Sequence, residues 1–326
     1  MFYSFFNMFF IFTLMLGSIL AVSSSFWFSA WAGLELNLIS FIPLIISEKN
    51  KFSSEAALKY FLIQALGSSM IIFSSSLLLF SFTVFSISLS LALLLKLGAA
   101  PMHFWFPQVM EGMMWPQAII LMTIQKMAPL FLLSSSNSII LYLSSAFSAI
   151  IGSVGGLNQV SLRKILSFSS INHLAWMLSA ILISENILLI YFVLYCFISS
   201  SVALIFFFGQ FFFINHLTNS KSPNSLKILS IMSILSLGGL PPFTGFIPKW
   251  YIIQELAQFN SFILLTILVF SALLTLYFYL RLGFSILVLS SFKIKPLLQK
   301  KNKSNYEIFI FMNFFGLFLP SSIILI

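Results

Sequence analysis

Apolar runs of about 20 residues alternate with short polar joints along almost the whole chain. A helix needs about 20 apolar residues to cross a bilayer, because each residue adds ~1.5 Å towards a hydrocarbon core of ~30 Å. The pattern therefore predicts an all-α polytopic membrane protein with about eleven transmembrane helices. The predicted spans are 2–22, 26–46, 56–80, 83–107, 115–133, 139–157, 162–183, 187–213, 226–258, 262–284 and 309–326.

Two of these spans are interrupted by glycine and proline. They contain the segments 93–107 (LLLKLGAAPMHFWFP) and 237–250 (LGGLPPFTGFIPKW), and each carries one lysine, Lys96 or Lys249. Irregular backbone at membrane depth is tolerated only inside protein or beside a wet cavity, and an ionisable group there marks an ion path. Two such segments in different halves of a chain are typical of a transporter built from inverted repeats. The plainer alternative is a proline kink with a lysine that snorkels to the headgroups.

Composition agrees with a membrane protein. The chain is 60% hydrophobic and 7% charged, with a mean hydropathy of +1.07, which excludes a soluble domain with a polar shell. Its net charge of +9 does not indicate a nucleic-acid partner, since the basic residues form no continuous face. The single cysteine, Cys196, excludes an intrachain disulfide, and the three histidines lack metal-ligand spacing, so no metal site is expected.

The basic residues predict the topology. If the joints alternate sides, twelve of the sixteen lysines and arginines lie on the face of the N-terminus and none in the opposite joints. The positive-inside rule then places the N-terminus in the compartment where the chain is made, and eleven spans place the C-terminus opposite. The twelve are Lys49, Lys51, Lys59, Arg163, Lys164, Lys221, Lys227, Lys293, Lys295, Lys300, Lys301 and Lys303. Arg281 ends the tenth span, which leaves Lys96, Lys126 and Lys249 inside the membrane.

Each buried lysine needs a partner or water, because a charge at the bilayer centre costs about 2.5–3.5 kcal/mol even on the lenient scale. Glu35, deep in the second span beside Asn37 and Ser40, is the candidate anion. At ~4 Å and an effective dielectric of ~20, a Glu35–Lys96 pair would gain about 4 kcal/mol, enough to load and release a proton. A buried ion pair that only fixes helix packing is the alternative.

Two further residues are candidate relays. His173 lies in the seventh span in a polar seam with Ser167, Ser169, Ser170 and Asn172, where a proton relay and a packing histidine are equally compatible with the sequence. Glu111, with Gln108, is expected in the loop after the fourth span, as a polar mouth or simply solvated. His103 is expected beside the first break and His216 in a loop.

Six stretches together closely resemble one family. They are WAGLELNLISFIPL, EAALKYFLIQALGS, KLGAAPMHFWFPQVMEG, GGLNQVSLRKILSFSSINHLAWM, SLGGLPPFTGFIPKW and LYFYLRL. The chain resembles the NADH dehydrogenase subunit 2 family of animal mitochondria, antiporter-like membrane-arm subunits of respiratory complex I. The resemblance implies two inverted five-helix repeats, 1–135 and 136–292, each with a broken helix. Residues 293–326 would add a matrix loop and a peripheral C-terminal helix.

The resemblance also implies the site. Glu35 matches the family glutamate in GLE, Lys96 the lysine in KLG, Lys126 that in QKMAP and Lys249 that in PKW, so these four are the expected proton-translocating residues. The sequence departs from the family pattern at Met102, where phenylalanine is usual, and at Gln108, where an acid is common. Neither departure touches the four residues.

The implied function is that of a core membrane-arm subunit of a proton-pumping NADH:ubiquinone oxidoreductase in the mitochondrial inner membrane. The N-terminus would face the matrix and the C-terminus the intermembrane space, with other membrane-arm subunits and inner-membrane lipids as partners. No nucleotide-binding, flavin or iron–sulfur motif occurs in the chain, so NADH, FMN, iron–sulfur clusters and ubiquinone are expected in other subunits. A structural scaffold of the membrane arm and a free-standing cation/proton antiporter remain as alternatives.

Overall fold

The structure, a computed structural model, describes residues 5–46, 50–78, 81–136, 138–219 and 224–289. These ranges are helical, with one isolated antiparallel bridge between Ser161 and Phe213, so the predicted all-α membrane fold is confirmed. The helices are α1 (Phe5–Ser23), α2 (Trp27–Ile46), α3 (Lys51–Leu77), α4 (Phe82–Leu97), α5 (Trp105–Gly112), α6 (Trp115–Met122), α7 (Ile124–Leu133), α8 (Ser138–Gly155), α9 (Leu162–Ile183), α10 (Glu185–Gly209), α11 (Ile214–Asn219), α12 (Asn224–Gly238), α13 (Phe246–Gln258) and α14 (Phe262–Leu289).

The first ten predicted spans each coincide with one of these helices or with a consecutive pair. In the described ranges, seven helices are long and apolar enough to cross a membrane, counting α6 and α7 as one, and three apolar helices are shorter. The eleventh predicted span, 309–326, and the basic connection 293–303 lie outside the described residues. The total of eleven therefore stays a prediction.

Both predicted breaks are confirmed. The first separates α4 from α5 and the second separates α12 from α13, and each begins at a glycine in the left-handed region, Gly98 at φ 71° and Gly239 at φ 80°. A residue with a Cβ is strained in this conformation, whereas glycine adopts it freely and ends the helix. The breaks fall in the fourth and ninth predicted spans, which correspond in the two expected repeats. This correspondence supports the repeats, whose boundaries stay a prediction.

Four residues differ from the sequence-based expectations. Gln108 and Glu111 lie on α5 and not in a loop, because the second half-helix of the first break continues to Gly112. His216 lies on the short helix α11. Lys227, expected in a connection, lies in the first turn of α12 and is buried. In each case a helix starts or ends several residues from where hydropathy alone sets it.

The interior contains many polar side chains among its hydrophobic residues, and the exterior is apolar. Large side chains such as Phe12, Leu58 and Phe270 are exposed on the outer surface, as expected of helices that face lipid or neighbouring subunits. Many serines are buried inside, for example Ser144 and Ser230. Each of these two donates its hydroxyl proton to the carbonyl three residues earlier in its own helix, so neither needs water.

Connections that follow alternate spans meet on one face. Leu162 N donates to Phe212 O at 3.0 Å, which joins the connection after α8 to the one after α10. On the same face Lys164 forms an ion pair with Glu111 at 2.7 Å. Connections that follow alternate spans lie on the same face when every span between them crosses the membrane completely, as this arrangement indicates.

Candidate functional site

Lys96 lies at the broken end of α4. Its side chain is 6% exposed, and it occupies the last turn of α4. Two carbonyls of this turn accept hydrogen bonds from side chains: Gln64 Nε2 donates to Lys96 O at 3.0 Å and Trp105 Nε1 donates to Leu95 O at 3.1 Å. The negative end of the α4 dipole favours an ammonium group here, by about 0.3–1 kcal/mol. The break therefore provides a place for a buried cation.

Glu35 lies near Lys96 without touching it. Glu35 is only partly buried on α2, and its carboxylate is the anion whose charge acts on Lys96. Among the described residues, however, the ion pairs within 4.0 Å are Lys59–Glu55 and Lys164–Glu111. The expected Glu35–Lys96 contact is thus absent from this structure, and the two groups act on each other at longer range.

A small cavity connects Lys96 with Lys126. Its volume is about 20 Å³, which is room for one water molecule. Both lysines line it, together with four polar side chains from α2, α3 and α7: Asn37, Tyr60, Gln64 and Gln125. The two lysines therefore share a polar space at the centre of the first predicted repeat.

Lys126 follows a third break that the sequence did not indicate. Thr123 separates α6 from α7, with φ −112° and ψ −80°, outside the helical region. Its N–H makes the regular helical bond to Ile119 O at 3.0 Å, and its hydroxyl also donates to that carbonyl at 2.7 Å, a back-bond that often bends helices. The break precedes Lys126 by one turn and so sets the direction of its side chain.

The ammonium group of Lys126 contacts neutral groups from the second predicted repeat. The side chain is 2% exposed, and Nζ donates to Ser170 O and to Tyr195 Oη, both at 3.3 Å. Nζ also lies 5.1 Å from the ring centroids of Phe106 and Tyr195, within the range of a cation–π interaction. Lys126 thus bridges residues 1–135 and 136–292.

His173 links the contact between Lys126 and Tyr195 to the second break. Its Nδ1 lies 2.8 Å from Tyr191 Oη, and its ring packs against the ring of Tyr195 with centroids 5.1 Å apart. The backbone of Leu237, near the end of α12, and the charges of Lys126 and Lys249 also act on His173 electrostatically. The structure therefore brings His173 between the two lysines.

Lys249 is held by the second break. The side chain is 5% exposed, and Nζ donates to Gly238 O at 2.9 Å, a carbonyl at the C-terminal end of α12. A Cβ on Gly239 would lie 3.0 Å from the same Nζ, so the glycine also makes room for the amine. Lys249 belongs to the second half-helix of its break and donates to the C-terminal end of the first, whereas Lys96 lies in the last turn of the first half-helix itself.

Glu111 lies apart from these residues. It pairs with Lys164 on the face where the connections meet, and the two side chains are 43% and 31% exposed. Arg163 Nη1 donates to Met113 O in the same region. A partly exposed pair of this kind contributes about 0–1 kcal/mol. The contacts tie α5 to α9, and they do not bring Glu111 into contact with the lysines as the expected relay.

Sequence reasoning missed Tyr191 and Tyr195. They lie four residues apart on α10, so both face the same side of the helix and reach His173 and Lys126. This spacing was the available signal, but tyrosine in an apolar run reads as packing. In the described part of the chain no group of three or more histidines, cysteines or acids could hold a metal ion.

Helices that span the membrane, two glycine-broken helices and buried lysines define a protein of the antiporter-like membrane class. The transmembrane model of the NADH:quinone oxidoreductase/Mrp antiporter family matches residues 23–275. Among solved structures, a chain of respiratory complex I from Thermus thermophilus superposes with a TM-score of 0.80 at 24% identity, covering 87% of this chain and 71% of that one. A chain of the Mrp complex from Dietzia sp. gives a TM-score of 0.75 at 15% identity, covering 85% and 60%.

Sequence relatives identify the family within this class of membrane proteins. NADH-ubiquinone oxidoreductase chain 2 of Anopheles gambiae is 45% identical over 338 residues, covering 98% of both chains. That of Locusta migratoria is 38% identical over 290 residues, covering 86% of this chain and 85% of the relative. The chain belongs to the NADH-ubiquinone oxidoreductase chain 2 family.

Proposed function

We propose that this chain is a membrane-arm subunit of respiratory complex I in the mitochondrial inner membrane and that it translocates protons through Lys96, Lys126 and Lys249. One observation supports the translocation role above all. Neutral polar groups and one small cavity connect the three buried lysines across the centre of the molecule. Electron transfer from NADH to ubiquinone would take place in partner subunits, which would hold the FMN, the iron–sulfur clusters and the quinone.

The lysine partners favour proton transfer over a purely structural role. A buried cation kept only for packing is best stabilised by an acid in direct contact, because an unpaired charge in a low dielectric is costly. In the described residues, Lys126 and Lys249 instead donate to carbonyl and hydroxyl oxygens. A lysine with neutral partners can lose its proton without leaving a buried carboxylate behind.

The order of the residues supplies a route. Lys96 and Lys126 share a cavity, Lys126 contacts Tyr195, and Tyr195 packs on His173. His173 reaches the backbone at Leu237, one residue before the carbonyl that accepts from Lys249. A proton that reaches Lys126 would raise the energy of a second charge on His173 or Lys249, because like charges repel. Protonation of Lys126 would therefore favour the release of a proton from His173 or Lys249.

Glu35 would control the first half of the route. Its carboxylate acts on Lys96 from beyond contact distance, so a shorter separation would hold the proton on Lys96 and a longer one would release it. Its partial exposure on a membrane helix calls for water or a neighbouring subunit to cover it. Neighbouring membrane-arm subunits are the expected partners, with the N-terminus on the matrix side.

Substitution of Lys126 tests the proposal. In the assembled complex, reconstituted in proteoliposomes, Lys126→Met should lower the number of protons pumped per electron while NADH–ubiquinone electron transfer continues. Methionine preserves most of the volume and removes the charge. Lys59→Met is the matched control, since Lys59 is a partly exposed lysine paired with Glu55, and it should pump normally. An assembled Lys126→Met complex with normal pumping would leave the scaffold role as the better account.

A further inference from the structure

Two amide side chains at the cavity between Lys96 and Lys126 each have one buried atom without a hydrogen-bond partner. Within the described residues, Asn37 Oδ1 and Gln125 Nε2 are both buried and neither has a partner in the protein. A buried polar atom without a partner costs about 1–3 kcal/mol, so native proteins nearly always satisfy such atoms, often with ordered water. Both residues line the same cavity. One atom is an acceptor and the other a donor.

The cavity has the size and the partners that one ordered water requires. Its volume of about 20 Å³ exceeds the ~10–15 Å³ that a single water needs. A buried water makes ~3 hydrogen bonds, and the site offers the Asn37 acceptor, the Gln125 donor and the two lysine amines. The volume is close to that minimum, so the simplest occupant is a single water.

Resting on the function proposed above, we propose that Asn37 and Gln125 hold one water between Lys96 and Lys126, and that this water carries the proton between the lysines. An N–H bond of the Lys96 ammonium breaks as the water oxygen accepts that proton. Another O–H bond of the same water breaks as neutral Lys126 Nζ accepts its proton. Lys96 ends neutral and Lys126 charged, and the water is regenerated.

Amides suit this task better than acids. An Asp or Glu in the same place would keep the proton as a neutral acid or pair permanently with a lysine, whereas an amide orients the water and does not titrate. Tyr60 fixes the arrangement, because its Oη donates to Gln125 Oε1 at 3.1 Å and leaves Nε2 for the water. Tyr60 is thus a positioning residue from α3, acting through Gln125.

Two single substitutions test the water site in the assembled complex. Gln125→Leu and Asn37→Leu keep the approximate volume and remove one water partner each. Both should lower protons pumped per electron as far as Lys126→Met does, with electron transfer retained. Because both residues hold the same water, their losses should not add, and the double variant should pump as many protons per electron as either single variant. Tyr60→Phe should give a smaller loss, and Gln117→Leu is the control, a buried amide of the same span that bonds Leu44 O away from the cavity.

The failure of this inference differs from the failure of the proposed function. If Lys126→Met loses pumping while Gln125→Leu and Asn37→Leu pump normally, the water site is wrong and the lysine route stands. If Lys126→Met pumps normally, the route itself is wrong. Should the leucine variants fail to assemble, a cryo-EM map of the unaltered complex decides: density ~2.7–3.2 Å from both Asn37 Oδ1 and Gln125 Nε2 is expected. A map that resolves other buried waters but no peak there overturns the inference.

Discussion

At the scale of single residues, the three lysines share one solution to burial. Lys96 lies in the last turn of α4, Lys249 donates to the C-terminal end of α12, and Lys126 contacts a carbonyl, a hydroxyl and two aromatic rings. Each arrangement offsets part of the ~2.5–3.5 kcal/mol cost of a charge at membrane depth without supplying a permanent countercharge. Under the proposed function, this absence of a countercharge would allow each of the three lysines to release its proton.

Glu35 is expected to control Lys96 through its charge. Glu35→Gln keeps the shape and removes the charge, so the Lys96 ammonium loses its only described electrostatic support from an acid. Pumping by the assembled complex should fall, and Glu35→Asp, which keeps a carboxylate on a shorter side chain, should retain part of it. Glu185→Gln is a suitable control, because Glu185 is exposed at the start of α10. Normal pumping by an assembled Glu35→Gln complex would contradict this role.

His173 is expected to pass the proton between the second pair of lysines. Replacement by phenylalanine keeps the ring that packs against Tyr195 and removes both nitrogens, including the Nδ1 that lies 2.8 Å from Tyr191 Oη. His173→Phe should therefore lower protons per electron with little effect on assembly. His216→Phe changes an exposed histidine on α11 and serves as the control. If His173→Phe pumps normally, the histidine only packs.

At the scale of elements, the second break depends on Gly239. Gly239→Ala would place a Cβ 3.0 Å from Lys249 Nζ and force alanine to φ 80°, at a cost of about 1–2 kcal/mol for the left-handed backbone alone. We expect a less stable complex with impaired pumping, measured by thermal unfolding and by proton uptake. Gly283→Ala in α14 is the control, since its Cβ would meet only Ile231 Cγ2 at 3.6 Å. Equal stability of the two variants would show that the break tolerates a side chain.

An element could be predicted from the sequence where its physical cause lies in the neighbouring residues. Proline and glycine act on their own backbone, so the breaks at Gly98 and Gly239 were predictable from the sequence. The break at Thr123 was not, because the segment around it reads as a regular apolar helix and contains no glycine, and its only proline before the break, Pro116, lies in the first turn of α6. The contact between Lys126 and Tyr195 spans 69 residues and depends on how α7 packs against α10, which no local pattern reveals.

At the scale of the whole molecule, the described connections support a topology that labelling can test. A common cavity of about 650 Å³ is lined by the connections after α2, α5 and α10 and by the start of α9, through Asn50, Met114, Phe213 and Arg163. Single cysteines at Asn50 and at Glu185 should therefore react from opposite sides of the membrane, in a background where Cys196 is serine. The matrix side should label Asn50→Cys. Labelling of both from one side would contradict the topology.

The central claim is that protons pass through Lys96, Lys126 and Lys249. It is tested most directly by measuring proton pumping in a variant that lacks all three lysines. The variant carrying Lys96→Met, Lys126→Met and Lys249→Met should assemble, because methionine fills the same buried positions without a charge. Protons pumped per electron are then measured in proteoliposomes beside the unaltered complex, at matched rates of NADH–ubiquinone electron transfer. The account predicts a lower ratio, equal to that of Lys126→Met alone because all three lysines serve one route. An unchanged ratio in the assembled triple variant would contradict it and leave the chain a scaffold.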